Sequence, residues 1–456
     1  MNSNTPHTRS GEHVSQQVDL RQVVYALSAS LDLVGIGDVA HGKRVGIMAA
    51  ECGKALGANA SERACLFELG VLHDIGVSST FIHSHLVSEF DWESSQFHCE
   101  VGHDLLKDFP PLAPLADPIR YHHTHWHRLV QTPGLAAGVM RQANLIFLVD
   151  RVDALAAPHY GDGSLLMHTH EIRQRIEACA GEFFDPELVA AFLLASRSEA
   201  FWLQLEGRAI SDYMHDMLGE REPCLTSNGE LKQLARIFSA IVDAKSPFTV
   251  AHSLGVARLA RLLAELMGIE EGHCEQLEIA GLLHDLGKLR VPDEILDKAG
   301  SLDERERAII NTHSFETYQI LRHIDGFEAI ALWASYHHEE PNGCGYPFHL
   351  TAEAMPLEAR ILRVADIFQA MVQNRPYREG LSAGQALGFL QQLASQRRVD
   401  VEVVATLAAH LPQALCAACG QAPDVSSSHT DGLQRRILCG DRPIETCRPR
   451  LRCAGH

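Results

Sequence analysis

No stretch of this chain is apolar for long enough to cross a bilayer. The best run, around Leu145–Val149, falls far short of the roughly 20 residues a spanning helix needs. The segment from Met1 to Leu20 is polar and has no apolar centre, so no secretory signal is expected. Positive charge is scarce as well: 39 Lys and Arg stand against 58 Asp and Glu, for a net charge of −19. Long polyanions need a basic face, which argues against a polymeric nucleic-acid partner. A small anion held by a few local cations remains compatible with that balance. The 12 cysteines lie at irregular intervals in helical-looking sequence and show no disulfide framework. Reduced thiols and a cytoplasmic protein with no membrane partner are the expectation.

Histidine, by contrast, is abundant at 27 residues. The key stretch is Gly281-Leu-Leu-His-Asp-Leu-Gly-Lys-Leu-Arg-Val-Pro292, where an apolar run ends abruptly in His284-Asp285 and then Lys288. Burying such a pair costs free energy unless something compensates it, and a metal ion does that well. Taken alone, a capped helix end with a buried histidine explains the stretch equally well. His252, His313, the pair His337-His338 and Asp366 all lie in apolar helical patterns, and so many are hard to explain as core residues.

These residues resemble the HD-GYP family of bacterial cyclic dinucleotide phosphodiesterases. The matching text is Ala251-His252-Ser253, HDLGK at 284–288, His313, HHE at 337–339 and Gly343-Cys-Gly-Tyr-Pro347. It continues through Ala359–Phe368 to Arg375-Pro-Tyr-Arg378, so the resemblance spans about residues 230–410. It implies two divalent ions, iron or manganese by the chemistry of the donors. One would take His252, His284, Asp285 and Asp366; the other would take Asp285, His313, His337 and His338, with Asp285 bridging. Paired cations lower the pKa of bound water toward neutrality, which suits attack on a phosphodiester. Asp285 and Lys288 are the catalytic candidates, and Lys288 would also offset charge on a phosphate oxygen. Tyr346 would face the substrate or serve packing. Arg375 and Arg378 would clamp phosphates or be solvated on the surface.

Several positions depart from the family pattern: Glu340, Asn342, Thr317, and Gln369 in place of a usual Asp. Gln369 is expected to loosen the orientation of a ligand histidine. Phe248 stands where some members carry a carboxylate for a third ion, so two are expected. The default substrate is cyclic di-GMP, opened to a linear dinucleotide, with further cleavage to mononucleotide left open. Cyclic GMP-AMP is an alternative, because tandem HD and HD-GYP arrangements are known among enzymes for it. The altered loop at Glu340–Asn342 motivates a third reading, a non-catalytic module that binds nucleotide or protein.

The chain repeats itself. His41 to His252 and His73 to His284 are both 211 positions apart; His98 to His313 and His122 to His337 are 215 apart; Asp150 to Asp366 is 216. The expected fold is therefore all-α, a tandem of two HD-type helical bundles. The boundaries are a disordered start at 1–17, an HD domain at 18–222, a catalytic domain at 223–410 and a flexible cysteine-bearing tail at 411–456. A loop at 223–229 marks the junction, by its turn chemistry. The amphipathic run Glu230–Asp243 would pack between the domains or against a second subunit in a homodimer.

The first half keeps His41, His73, Asp74, His98, His122, His123 and Asp150 but has Val77 in place of Lys288, and no Gly-Tyr-Pro. It is either a regulatory HD domain with its own metal or a decayed copy kept for packing. In the tail, Cys416-Ala-Ala-Cys419 offers half a zinc site, and the remaining spacings are irregular.

Overall fold

The structure, a computed structural model, describes residues 18–35, 40–91, 95–219, 222–246, 252–298, 300–374 and 379–420. The expectations for 1–17, Phe248, Arg375, Arg378, Cys439, Cys447 and Cys453 lie outside these residues. Among the described residues the fold is all-α, apart from two strands of two residues each.

Each half is organised around a pair of packed helices. In the first they are His41–Ala55 and Ala60–Leu72; in the second, His252–Leu266 and Glu271–Leu283. Apolar residues line the inner faces, for example Val45, Met48, Phe67 and Leu69, then Val256, Leu263, Leu277 and Leu282, all buried. Burial of such side chains stabilises by about 1.5–3 kcal/mol each. Polar residues set the helix starts. Asn59 accepts from Glu62 N while Glu62 reaches back to the Asn59 amide, and Asp303 with Glu306 does the same ahead of Glu304–Leu321. In each half the helix bearing the last carboxylate, Ala137–Ala156 or Leu357–Val372, lies across the pair.

The structure corrects three boundaries. The junction at 223–229 is not all loop: Leu225–Thr226 pairs antiparallel with Val18–Asp19. The helical pattern also does not stop at 411. Leu411–Cys419 is a helix packed against His252–Leu266, and it ends at Gly420 in the left-handed region. Cys416 and Cys419 are both exposed on it, so neither begins in a flexible tail. Finally, the run around 230–243 extends to the helix Asn228–Ala244; it packs on His252–Leu266 and Glu271–Leu283 of its own half, and Gln233 Nε2 donates to Asp108 O of the first half at 2.9 Å. No single described helix is long and apolar enough to cross a membrane.

The halves touch through the loops that follow their His-Asp pairs. Ser79 Oγ donates to Asp293 Oδ2 at 2.7 Å, and Lys245 Nζ lies 3.0 Å from Asp293 Oδ1 and 3.3 Å from Ser78 O.

Candidate metal centre

His284 is the last residue before the helix Glu271–Leu283 gives way to a 3-10 turn at Leu286–Arg290. The turn is tight because Gly287 lies against the next ligand-bearing helix: a Cβ there would sit 2.1 Å from His313 O. Only glycine allows that approach. Thr317, a departure from the family pattern, closes the same turn. Its hydroxyl accepts from Gly287 N at 3.0 Å and donates to His284 O at 3.1 Å.

The seven candidate ligands converge. Asp285 lies between two groups of side chains. Its Oδ2 is 3.3 Å from His284 Nε2 and 3.8 Å from His252 Nε2, and its Oδ1 is 3.6 Å from His313 Nε2 and 3.8 Å from His337 Nε2. Asp366 Oδ1 is 3.2 Å from His252 Nε2. Donor atoms of His252, His284 and Asp366 form one cluster; those of His313, His337 and His338 form another. Ligands about 2 Å from a common ion stand roughly 3–4 Å from one another, the spacing found here.

Ring orientation favours ligation. The Nδ1 atoms of His284, His313 and His337 lie 2.8, 2.6 and 2.6 Å from the carbonyls of Gly281, Ile310 and Ala334. A carbonyl only accepts, so each Nδ1 carries the proton and each Nε2 turns a lone pair inward. Burial holds His337 and His338 far below the ordinary histidine value and pushes His313 down to about 4, which keeps these rings neutral. Burial disfavours the Asp285 charge, but the imidazoles around it and the Lys288 ammonium outweigh that and hold it well below the carboxylate range. His284 Nε2 and Asp285 Oδ1 are buried without hydrogen-bond partners. Orphaned donors and acceptors of this kind are costly, and cations placed among them would resolve the cost. The residues therefore fit the implied metal.

The surrounding residues fix the set. Gln369 Oε1 accepts from His252 Nδ1, so the amide takes over the orienting task of the family's carboxylate rather than abandoning it. Glu339 accepts from Phe348 N at 2.6 Å and Leu350 N at 2.8 Å, holding the loop after the histidine pair. Glu340 is buried between Arg363 and Arg398, with Oε1 at 3.0 and 2.8 Å from their guanidinium nitrogens. Arg363 also donates to His337 O at 3.3 Å. The departure at 340 thus has a structural use. Gly345 leaves no space for a Cβ, which would meet Glu340 N at 2.2 Å, and this places Tyr346 against His338 with ring centroids 4.8 Å apart. Lys288 Nζ pairs with Asp285 Oδ2 and is partly exposed.

Sequence reasoning gave no role to Glu339, Arg363 or Asp153. Asp153 is the first-half counterpart of Gln369: its Oδ2 lies 2.7 Å from His41 Nδ1. The 216-residue offset from Gln369 was the available signal.

A family model described as an HD domain matches residues 236–403. The chain is 35% identical to 3'3'-cGAMP-specific phosphodiesterase 1 of Vibrio cholerae over 402 residues, covering 87% of this chain and 93% of that protein. The chain belongs to the HD-GYP family of cyclic dinucleotide phosphodiesterases. Relatives named for cyclic di-GMP align over less of it. The cyclic di-GMP phosphodiesterase response regulator RpfG of Xanthomonas campestris is 38% identical over 163 residues, which is 35% of this chain and 43% of RpfG. Among solved structures, a cyclic GMP-AMP specific phosphodiesterase of Vibrio cholerae (V-cGAP3) superposes with a TM-score of 0.61 at 26% identity. The match covers 87% of this chain and 98% of that one. The HD-GYP assignment makes this chain a metal-dependent hydrolase of cyclic dinucleotides.

Proposed function

We propose that the enzyme hydrolyses 3'3'-cyclic GMP-AMP, and that the work is done by the second half, residues 223–410, with the first half, 18–222, in a regulatory role. The single observation that carries the catalytic part is the convergence of seven donor residues, Asp285 between two groups of the others, with buried His284 Nε2 and Asp285 Oδ1 lacking partners. The substrate reading rests on extent. Two relatives named for cyclic GMP-AMP align over 87% and 67% of the chain and a third over 32%, whereas relatives named for cyclic di-GMP align over 35%, 44% and 50%.

Two ions, iron or manganese, fit five imidazoles and two carboxylates. His252, His284, Asp285 and Asp366 would hold one, and Asp285, His313, His337 and His338 the other. When bound, paired cations of this kind activate water for attack on phosphorus. The chain's own residues do the rest. Lys288 places a cation beside Asp285, where a non-bridging phosphate oxygen gains charge as the ester is attacked. Tyr346, stacked on His338, offers an aromatic face at the rim. Arg375 and Arg378 supply further cations for the second phosphate.

The test is a comparison of kcat/KM for 3'3'-cyclic GMP-AMP and cyclic di-GMP, using the full chain with Fe2+ or Mn2+ restored. A preference of at least about tenfold for the mixed dinucleotide is expected. Equal or faster turnover of cyclic di-GMP would overturn the substrate reading and leave the catalytic residues untouched.

A further inference from the structure

The first half repeats the ligand arrangement of the second, with one difference in support: His98 Nδ1 is buried without a partner where His313 Nδ1 meets the Ile310 carbonyl. Asp74 Oδ2 lies 3.4 Å from His73 Nε2 and 3.7 Å from His41 Nε2; its Oδ1 lies 3.2 Å from His98 Nε2 and 3.8 Å from His122 Nε2. Asp150 Oδ1 stands 3.4 Å from His41 Nε2. Donor atoms of Asp74, His98, His122 and His123 cluster together, as do those of His41, His73 and Asp74. As in the second half, one carboxylate faces two groups of imidazoles.

The supports are repeated too. His73 Nδ1 lies 2.7 Å from Gly70 O and His122 Nδ1 lies 2.6 Å from Ile119 O, so in both rings Nδ1 donates outward and Nε2 faces the centre. Gly76 packs on the third histidine as Gly287 does: a Cβ there would meet His98 O at 2.0 Å. The same two atoms are left unsatisfied. His73 Nε2 and Asp74 Oδ1 are buried without hydrogen-bond partners, matching His284 Nε2 and Asp285 Oδ1. His73 is 1% exposed. A copy kept only for packing has no physical reason to hold five histidines and two aspartates in this arrangement at the cost of unpaired buried polar atoms.

Among the described residues of the first half, no cation takes the place of Lys288. Val77 occupies the place of Lys288; its amide donates to Asp74 O at 2.8 Å, as the Lys288 amide does to Asp285 O at 2.8 Å, so the turn is kept and only the charge is gone. Arg151 does not replace it. That side chain is buried, and it bonds to Asp150 Oδ2 at 2.8 Å, Leu86 O at 2.9 Å and Glu89 O at 2.6 Å. Arg44 is held by Asp153 at 2.7 Å.

We infer that the first half is a second two-ion centre for divalent metal, formed by His41, His73, Asp74, His98, His122, His123 and Asp150, and that it does not hydrolyse phosphodiesters. This inference is independent of the substrate proposed above.

The test counts ions. The full chain is stripped of metal, reloaded with Mn2+ alone, and its manganese per chain is measured by mass spectrometry. About four ions are expected in the wild type, about two in Asp285→Ala/His313→Ala and about two in Asp74→Ala/His98→Ala. The Asp285→Ala/His313→Ala protein should turn over no cyclic dinucleotide while keeping the manganese of the first half. Less than half an ion on that variant would overturn the inference, as would unchanged loading after Asp74→Ala/His98→Ala. Because alanine variants of buried sites can fail to fold, melting temperature gives a second measure. An ion that binds only the folded state raises it. The Asp285→Ala/His313→Ala protein should melt higher with Mn2+, and adding the near-isosteric Asp74→Asn should abolish the rise. No rise in the first protein, or an undiminished one in the second, counts against the centre.

Discussion

Ser79 Oγ donates to Asp293 Oδ2 at 2.7 Å, and this bond joins the loop after one His-Asp pair to the loop after the other. Asp293 is the hub of the contact. Its second oxygen faces Lys245, whose ammonium is almost wholly enclosed, and its own amide lies 3.4 Å from Thr80 Oγ1.

Removing that hub should loosen the two halves. Burial disfavours the Asp293 charge, but the Lys245 ammonium and the Ser79 hydroxyl outweigh it and lower the carboxyl pKa below its ordinary value. A carboxylate with a depressed pKa contributes stability that is present above the ordinary carboxylate range and is lost as pH falls through the lowered value. Asp293→Ala should therefore destabilise the chain by about 1–3 kcal/mol near neutral pH, and by much less in acid. Denaturant unfolding of wild type and variant at pH 7 and in the acid limb decides it; a gap that does not narrow in acid contradicts the assignment.

Lys288 is proposed to act on the phosphate and not on the ions. Lys288→Met should reduce kcat by about a hundredfold or more. Manganese content should stay at the wild-type level, because no donor has been removed. Loss of metal together with activity would assign Lys288 to holding Asp285 instead.

Glu340 is enclosed by Arg363 and Arg398, with the Glu340 and Arg363 side chains 8% and 7% exposed. Removing one partner of such a pair leaves a buried charge uncompensated. Glu340→Ala should cost about 3 kcal/mol or more of folding stability. Because Arg363 also donates to His337 O, manganese affinity should fall as well. Glu340→Ala combined with Arg363→Met should recover part of the lost stability; a double variant no better than the single one argues against the pairing.

Much of the centre was legible in the sequence, because ligand chemistry is confined to a few residue types and the repeat fixed their order twice over. His252, His284, Asp285, His313, His337, His338 and Asp366 needed no contact information to be gathered. What lay hidden depended on distance along the chain. The partners of Glu340 sit 23 and 58 residues away, so the residue looked like a departure from the family pattern and not like the centre of an ion pair. The helix Leu411–Cys419 escaped notice because its buried contacts come from Ala414 and Ala418, which give almost no apolar period. The strand pair of Val18–Asp19 with Leu225–Thr226 is too short to carry any alternation. Arg375 and Arg378 lie outside the described residues, so their clamp rests on the family resemblance alone.

Gly287 and Gly76 carry a mechanical consequence. Each wedges the turn after a His-Asp pair directly onto the backbone of the next histidine-bearing helix, with no side chain between them to act as a cushion. Two ligand-bearing segments are thereby welded into one piece. A methyl group inserted at either glycine has to shift both segments at once, so the two ligand-bearing pieces move as a unit.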